Sequence, residues 1–258
     1  MKKSLAASAA LLLLVCSCGP SEAEKKAAME RTAATIDSII GTTQTPYEAC
    51  GAVYAEPNVN VNIVLRDSMI KVDLLGEQLM DYFAAAQLKS YDADTFNDIT
   101  KQLRTQDASL VVNITDTFGG SKTFIFSPEK LRRLRAAKPS SLDVPKVKEQ
   151  VIAMANGAVP APAAHAGAQV SASISKGFLT YTVSWPQKSA LAGLEQGSLT
   201  GRYMDALRRQ YSRLGELEYP VVETLKSLGI DGVRIVYTTV DGDGKELKQA
   251  FPWREIFK

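Results

Sequence analysis

The chain has 258 residues, 45% of them apolar and 22% charged, with 30 basic against 28 acidic side chains and a net charge of +2. That near-balance excludes the concentrated basic excess on which nucleic-acid binders rely. The single histidine, His165, sits in an Ala/Pro-rich run, which excludes catalytic triads and histidine-built zinc or iron centres, since those need imidazoles held rigidly by packing.

Lys2 and Lys3 precede an apolar run from Leu5 to Val15, which stops at Val15-Cys16-Ser17-Cys18-Gly19-Pro20. A spanning helix needs about 20 apolar residues, so this run is too short to cross a bilayer. A basic start followed by roughly 7–15 apolar residues is the pattern of an export signal. An apolar residue at Val15, small Ser17 and then Cys18 resemble the lipobox of bacterial lipoproteins. Cys16 fits less well, because bulky Val15 would then precede the cut. The resemblance implies a signal peptide over 1–17 and Cys18 as the lipid-attachment residue, carrying diacylglycerol and palmitate-type chains. It also implies a cell-envelope location, periplasmic or surface-facing, with the outer membrane favoured over the inner. Each buried lipid CH₂ contributes about 0.8 kcal/mol, so two or three chains hold a soluble domain at a membrane. With Cys16 removed and Cys18 acylated, Cys50 is the remaining thiol and an intrachain disulfide is excluded. Without Lys2 and Lys3 the basic residues equal the 28 acidic ones.

Residues 18–46 read as a polar, Ala-rich tether holding the folded part away from the bilayer, with a short helix carrying Ala28, Thr32, Ile36 and Ile39. Val59, Val61, Ile63 and Leu65 then alternate with asparagines, and Ile70, Val72 and Leu74 alternate after Arg66-Asp67-Ser68, which predicts a hairpin. Two helical stretches follow, Leu79/Phe83/Ala86 and Phe96/Ile99/Leu103, the second with Asp92 or Asp94 as cap. A hairpin from Leu110, Val112 and Ile114 through Gly119-Gly120 to Phe124 and Phe126 closes the first module, 47–138. Residues 139–168 read as a linker with a short helix at Val147 to Met154.

The second module, 169–258, repeats that order. Val170/Ala172/Ile174 and Leu179/Tyr181/Val183/Trp185 form a hairpin about Lys176-Gly177. Met204/Leu207/Tyr211/Leu214 and Val221/Leu225/Leu228 form two helices, the last with Pro220 in its first turn and Gly229 past its end. Val233/Ile235/Tyr237 return through Asp241-Gly242-Asp243-Gly244 to Leu247. Phe126-Ser127-Pro128 and Phe251-Pro252-Trp253 both read as a strand giving way to a helix. The predicted class is therefore α+β, two duplicated ββααββ modules, each an antiparallel sheet covered by a helix pair and each with its own core.

Candidate chemistry is sparse. Cys50 lacks a neighbouring cation to lower its pKa and reads as a buried small hydrophobe. Asp241-Gly242-Asp243-Gly244 resembles the start of a calcium loop, but Thr239 and Ala250 fall where the first and twelfth ligands belong, so a hairpin turn accounts for it. The pairs Asp92/Asp94 and Glu216/Glu218 read as caps and solvated faces, as do the clusters Arg132/Arg133/Arg135/Lys138 and Arg202/Arg208/Arg209/Arg213. Gly193, Gly197 and Gly201 lack the strand and Lys-Ser/Thr of a phosphate cradle. Tyr181, Trp185 and Trp253 read as core, with a sugar or peptide groove as the alternative. The expectation is a lipid-anchored, non-enzymatic envelope protein that binds a protein, peptide or glycan, with no catalytic, cofactor or metal residues. A structural or inhibitory role and a carboxylate-dependent hydrolase are the alternatives.

Overall fold

The computed structural model describes residues 20–42, 47–65, 71–138, 141–157, 167–186, 204–208, 220–239 and 246–256. In the first half, helix α1 (Glu22–Thr42) leads into strands β1 (Tyr47–Ala55) and β2 (Asn58–Leu65). Helices α2 (Glu77–Gln87) and α3 (Ala93–Thr105) then carry the chain to β3 (Leu110–Thr115), β4 (Ser121–Phe126) and helix α4 (Pro128–Ala136). In the second half, helix α5 (Val144–Gly157) precedes β5 (Gln169–Ser175) and β6 (Phe178–Trp185). A helical turn at 204–208 and helix α6 (Pro220–Ser227) follow, then β7 (Gly232–Thr239), β8 (Leu247–Pro252) and α7 (Trp253–Ile256).

The two halves are two similar α+β modules, with sheets ordered β1-β2-β3-β4 and β5-β6-β7-β8. Each sheet is mixed rather than wholly antiparallel. The outer pairs are antiparallel, but β2–β3 and β6–β7 are parallel, Val61 facing Val112 and Tyr181 facing Ile235. The helical connection between the two central strands is the cause: a crossover returns the chain in its original direction, whereas a tight turn reverses it.

The first hairpin also differs from the sequence expectation. Its strands are β1 and β2, whereas Val72–Leu74 form a 3-10 turn and Arg66 to Ile70 lie outside the described residues. Asp116 explains the turn, because its Oδ2 accepts the Val72 N–H at 2.9 Å and holds that backbone away from any strand ladder. On β1 both faces are small or apolar, with Cys50, Ala52 and Tyr54 on one and Gly51, Val53 and Ala55 on the other, so alternation is hard to see.

The repeat is longer than the order ββααββ. Helices α1 and α5 occupy equivalent places beside the edge strands β1 and β5. Asp37 Oδ1 on α1 accepts the Ala52 N–H at 2.8 Å, and Asn156 Oδ1 on α5 accepts the Ala172 N–H at 2.7 Å. Each helix thus occupies backbone donors that an edge strand would expose. The ends of α3 and α6 also match. Leu103 O accepts from Ala108 N and Leu225 O from Ile230 N, and the reversal falls at Asp107 (φ 50°) and Gly229 (φ 74°).

Helix α1 is packed along the first module rather than standing clear of it: Met29, Thr32, Ala33 and Ile36 are buried at helical spacing. Helix α5, inside the segment read as a linker, buries Val147, Val151 and Ala155 and touches α2, the 3-10 turn and β5. Its Gln150 accepts the Leu79 N–H at 2.9 Å and donates to Gln78 at 2.7 Å, closing the start of α2. Gly76, the N-cap residue of α2, has no side chain because that amide occupies the space, and a Cβ there would lie 2.1 Å from Gln150 Nε2. Tyr82 on α2 and Ser227 on α6 share a hydrogen bond of 2.8 Å. The buried apolar residues of both halves accordingly form one continuous cluster, not the two separate cores expected.

A shared core makes unfolding one event. Both tryptophans, Trp185 and Trp253, lie in the second half, so their fluorescence reports on that half while far-UV circular dichroism reports on both. Denaturant titrations followed by the two signals should coincide. Leu79→Ala in the first half, at a residue 1% exposed, should shift both by about 2–5 kcal/mol. Two separated transitions would refute the merged core.

Candidate functional site

Two surfaces of the first module offer themselves to a partner. The first is the face of its sheet turned away from the helices. Strand alternation sends Val59, Val61, Val112, Ile114, Phe124 and Phe126 into the core and the intervening residues outward. The register aligns those outward residues in rows across four strands. One row is Gly51, Asn62, Asn113 and Thr123, and the next is Val53, Asn60, Val111 and Ile125. Neither row contains a charge.

Asn113 Nδ2 donates to Asn62 Oδ1 at 3.0 Å, and Thr123 Oγ1 donates to Asn113 Oδ1 at 2.8 Å. This ladder fixes the amide orientations and leaves the Asn62 NH₂ and the Thr123 lone pairs turned to solvent. Beside it Val53 and Ile125 are 51% and 61% exposed. Lysines and glutamates ordinarily guard an open sheet against sticking, and this amide-and-aliphatic face has none in its two central rows. The equivalent rows of the second sheet, Ser171-Thr182-Val236-Lys248 and Ser173-Thr180-Arg234-Ala250, carry two cations. Arg234 lies 4.4 Å from the Phe178 ring centroid.

The second surface is a cleft of about 240 Å³ between α1 and α3, lined by Ala28, Arg31, Thr32, Thr35, Thr95, Asp98, Ile99 and Gln102. Thr32 and Thr35 donate their hydroxyl protons to Ala28 O and Arg31 O, and Thr95 donates to Asp92 Oδ2. Those hydroxyls can only accept from a guest, while Arg31 donates. The volume falls below the roughly 300–1,000 Å³ of drug-sized sites, so the cleft suits one side chain or one sugar ring.

The remaining sequence candidates have other duties. Cys50 is half-buried against the core; burial, then the Asp37 carboxylate, pushes its thiol up to about 11, so it is protonated at neutral pH and a poor nucleophile. Asp92 caps α3 by accepting the Thr95 N–H at 2.9 Å, and that bond foremost holds its carboxyl below the usual range. Arg135 lies 4.4 Å from the Phe96 ring centroid and donates to Tyr91 O, so it packs α4 onto α3. Tyr181, Trp185 and Trp253 are core residues, the first and last 2% and Trp185 8% exposed, with Trp253 Nε1 donating to Ile230 O. Arg208 donates to Glu255 O at 3.2 Å. Cys18, His165, Gly193, Gly197, Gly201, Arg202, Arg209, Arg213, Glu216, Glu218 and 241–244 lie outside the described residues. Among the described residues no group of three or more His, Cys, Asp or Glu is placed to hold a metal ion, and no helix is long and apolar enough to cross a membrane.

Sequence reasoning missed Asp116. Its Oδ1 accepts from Phe118 N and Gly120 N and its Oδ2 from Val72 N, and Gly120 is required because a Cβ there would lie 2.7 Å from Oδ2. The Val72 bond, chief among these, holds the carboxyl below its ordinary value. Asp-x-x-x-Gly at a hairpin turn was the available signal, but the Val72 partner is remote in sequence.

Compared with family models, curated proteins and solved structures, the chain matches none.

A carboxyl with a lowered folded-state pKa stabilises the fold above its unfolded pKa and loses that contribution as pH falls through the folded value. Asp116→Asn should therefore lower the melting temperature at pH 7 and narrow its gap from the unsubstituted protein as the solution is acidified toward pH 2–3. An unchanged gap from pH 7 to pH 2 would show that the charge of Asp116 contributes nothing.

Proposed function

We propose that this chain is a lipid-anchored cell-envelope protein that binds a partner without transforming it. The observation that carries the reading is the basic start and short apolar run ending in Val15-Cys16-Ser17-Cys18, a pattern that fits cleavage before Cys18 and acylation of its sulfur. Acyl chains contributing about 0.8 kcal/mol per buried CH₂ confine the folded part to a membrane surface without a spanning helix. The binding half of the reading rests on the neutral rows of the first sheet, whose amides and methyls can meet the neutral groups of a protein, peptide or glycan.

A structural or inhibitory role is the second reading, and the exposed Val53 and Ile125 on that face favour it. An open sheet face covers another protein's surface more readily than it encloses a small molecule, and Val53 and Ile125, on its first and fourth strands, supply apolar contact.

Expression of the full chain in a bacterium tests the anchor. The product should begin at Cys18, carry acyl mass by intact mass spectrometry and float with membranes. Cys18→Ser should abolish both the added mass and the flotation. A Cys18→Ser product that still floats, or an intact product without acyl mass, overturns the anchored reading.

The face is tested by in-cell crosslinking of envelopes. Asn62→Lys combined with Ile125→Lys should eliminate the crosslinked species at unchanged circular dichroism, whereas Ser171→Lys on the second sheet should leave it intact. Equal loss from both variants would remove the first sheet as the docking surface.

A further inference from the structure

The first helix begins almost at the anchoring cysteine. Ser21 Oγ accepts the Glu24 N–H at 3.3 Å, and Glu24 Oε2 accepts the Ser21 N–H at 2.7 Å and the Ser21 O–H at 2.9 Å. This reciprocal pair is a capping box, which pins the helix start at Ser21. The first intrahelical bond, from Lys25 N to Ser21 O at 2.9 Å, confirms the onset. From there α1 runs unbroken to the buried Met29, Ala33 and Ile36 and to the Asp37 bond with the edge strand. The helix is thus part of the rigid module. The leash between Cys18 and Ser21 is three residues, which extend at most about 10–11 Å. A bilayer's polar layer is roughly 5–7 Å deep on each side, so the leash is largely spent in crossing it.

The end of the module beside that helix start is also defined. Helix α1 ends at Thr42, five positions before β1 opens at Tyr47, and packs along that strand with Asp37 bonded to Ala52, so it runs antiparallel to β1 and its opening lies toward the β1–β2 turn at Glu56-Pro57. The opposite end of the sheet is the β3–β4 turn, where Phe118 is 62% exposed. An eight-residue strand such as β2 separates the two ends by about 25 Å.

We infer that the protein sits directly on the lipid headgroups, with the start of α1 and the Glu56-Pro57 turn facing the bilayer and the Phe118 turn facing away. This rests on acylation of Cys18. At the start of α1, Lys25 pairs with Glu22 and Lys26 with Glu30, so this segment carries no basic excess that would call for anionic lipid. Neutral zwitterionic headgroups are therefore its matching surface, and anionic lipid is not needed for the orientation. The neutral rows of the first sheet then stand roughly upright, open to a partner approaching along the membrane plane.

The test uses acylated full-length protein in vesicles of zwitterionic lipid containing a nitroxide headgroup lipid, on a Cys50→Ala background. An environment-insensitive dye is placed at Glu56→Cys or at Thr117→Cys, both exposed positions. Quenching should be several-fold stronger at 56 than at 117. A flexible ten-residue Gly/Ser insertion between Pro20 and Ser21 should reduce the difference to near zero while flotation and acyl mass persist. Equal quenching at the two positions in protein that floats and carries acyl chains overturns the orientation and leaves the anchor standing. An insertion without effect on the ratio also overturns it, because the short leash would then not be the cause. Protein without acyl mass removes the anchored reading and this orientation together.

Discussion

An edge strand must satisfy its outward backbone donors, and in this protein a helix does so twice. The Ala52 and Ala172 N–H groups are met by side-chain oxygens of Asp37 and Asn156, each from the helix that precedes its sheet. The Ala172 contact is partly buried, where a donor without a partner costs roughly 1–3 kcal/mol, while the Ala52 contact is exposed and fixes position more than stability. They set the register of α1 and α5, whose buried stripes of Met29, Ala33 and Ile36 and of Val147, Val151 and Ala155 hold them onto the modules. With α1 docked, residues 22–42 are part of the fold rather than a spacer; with α5 docked, residues 144–157 between the halves join the core and reach the start of α2 through Gln150.

Much of this was legible in the sequence, and the gaps have physical causes. The helix pair α2 and α3, the β3–β4 hairpin and the Pro220 and Gly229 ends of α6 declare themselves because each is decided by neighbours within a turn or two. Strand β1 is hidden because Gly51, Val53 and Ala55 are as apolar as Cys50, Ala52 and Tyr54, so period two has no contrast to show. The Val72 turn is decided by Asp116, 44 residues away. Helix α1 shows its spacing but not its docking, since small Ala33 and Met29 give a weak apolar stripe that reads equally as a spacer. The parallel central strands follow from the kind of connection, and residue patterning is silent on strand direction. The candidate face is the least legible of all: Asn58, Asn60 and Asn62 mark one polar edge of one strand, but only the three-strand register brings Asn62, Asn113 and Thr123 into line.

The duplication shows where the two modules were held alike and where they were allowed to differ. The edge contacts, the strand order and the C-terminal bond of the second helix are alike in both, and even the left-handed residue after that helix is matched, by Gly229 in one half and in the other by Asp107, a residue type that tolerates that conformation better than most. The outward rows diverge instead. Val111 and Thr123 on the first sheet correspond to Arg234 and Lys248 on the second, where Arg234 lies over the Phe178 ring and Lys248 pairs with Glu246. The core-facing row changes as well, Ala52-Val61-Val112-Phe124 against Ala172-Tyr181-Ile235-Gln249, so the two modules share a frame of elements rather than a set of side chains.

The clasp between Gln150 and the glycine-headed start of α2 bears on how this gene can be divided. Severing the chain between α4 and α5 would assign the amide that closes α2 to the wrong fragment and strip Tyr82 of its Ser227 partner. The apparent boundary between repeats is therefore no place for truncation. Half-length pieces would each leave part of the common core and these cross-links open to water, which makes them unsuited to study in isolation.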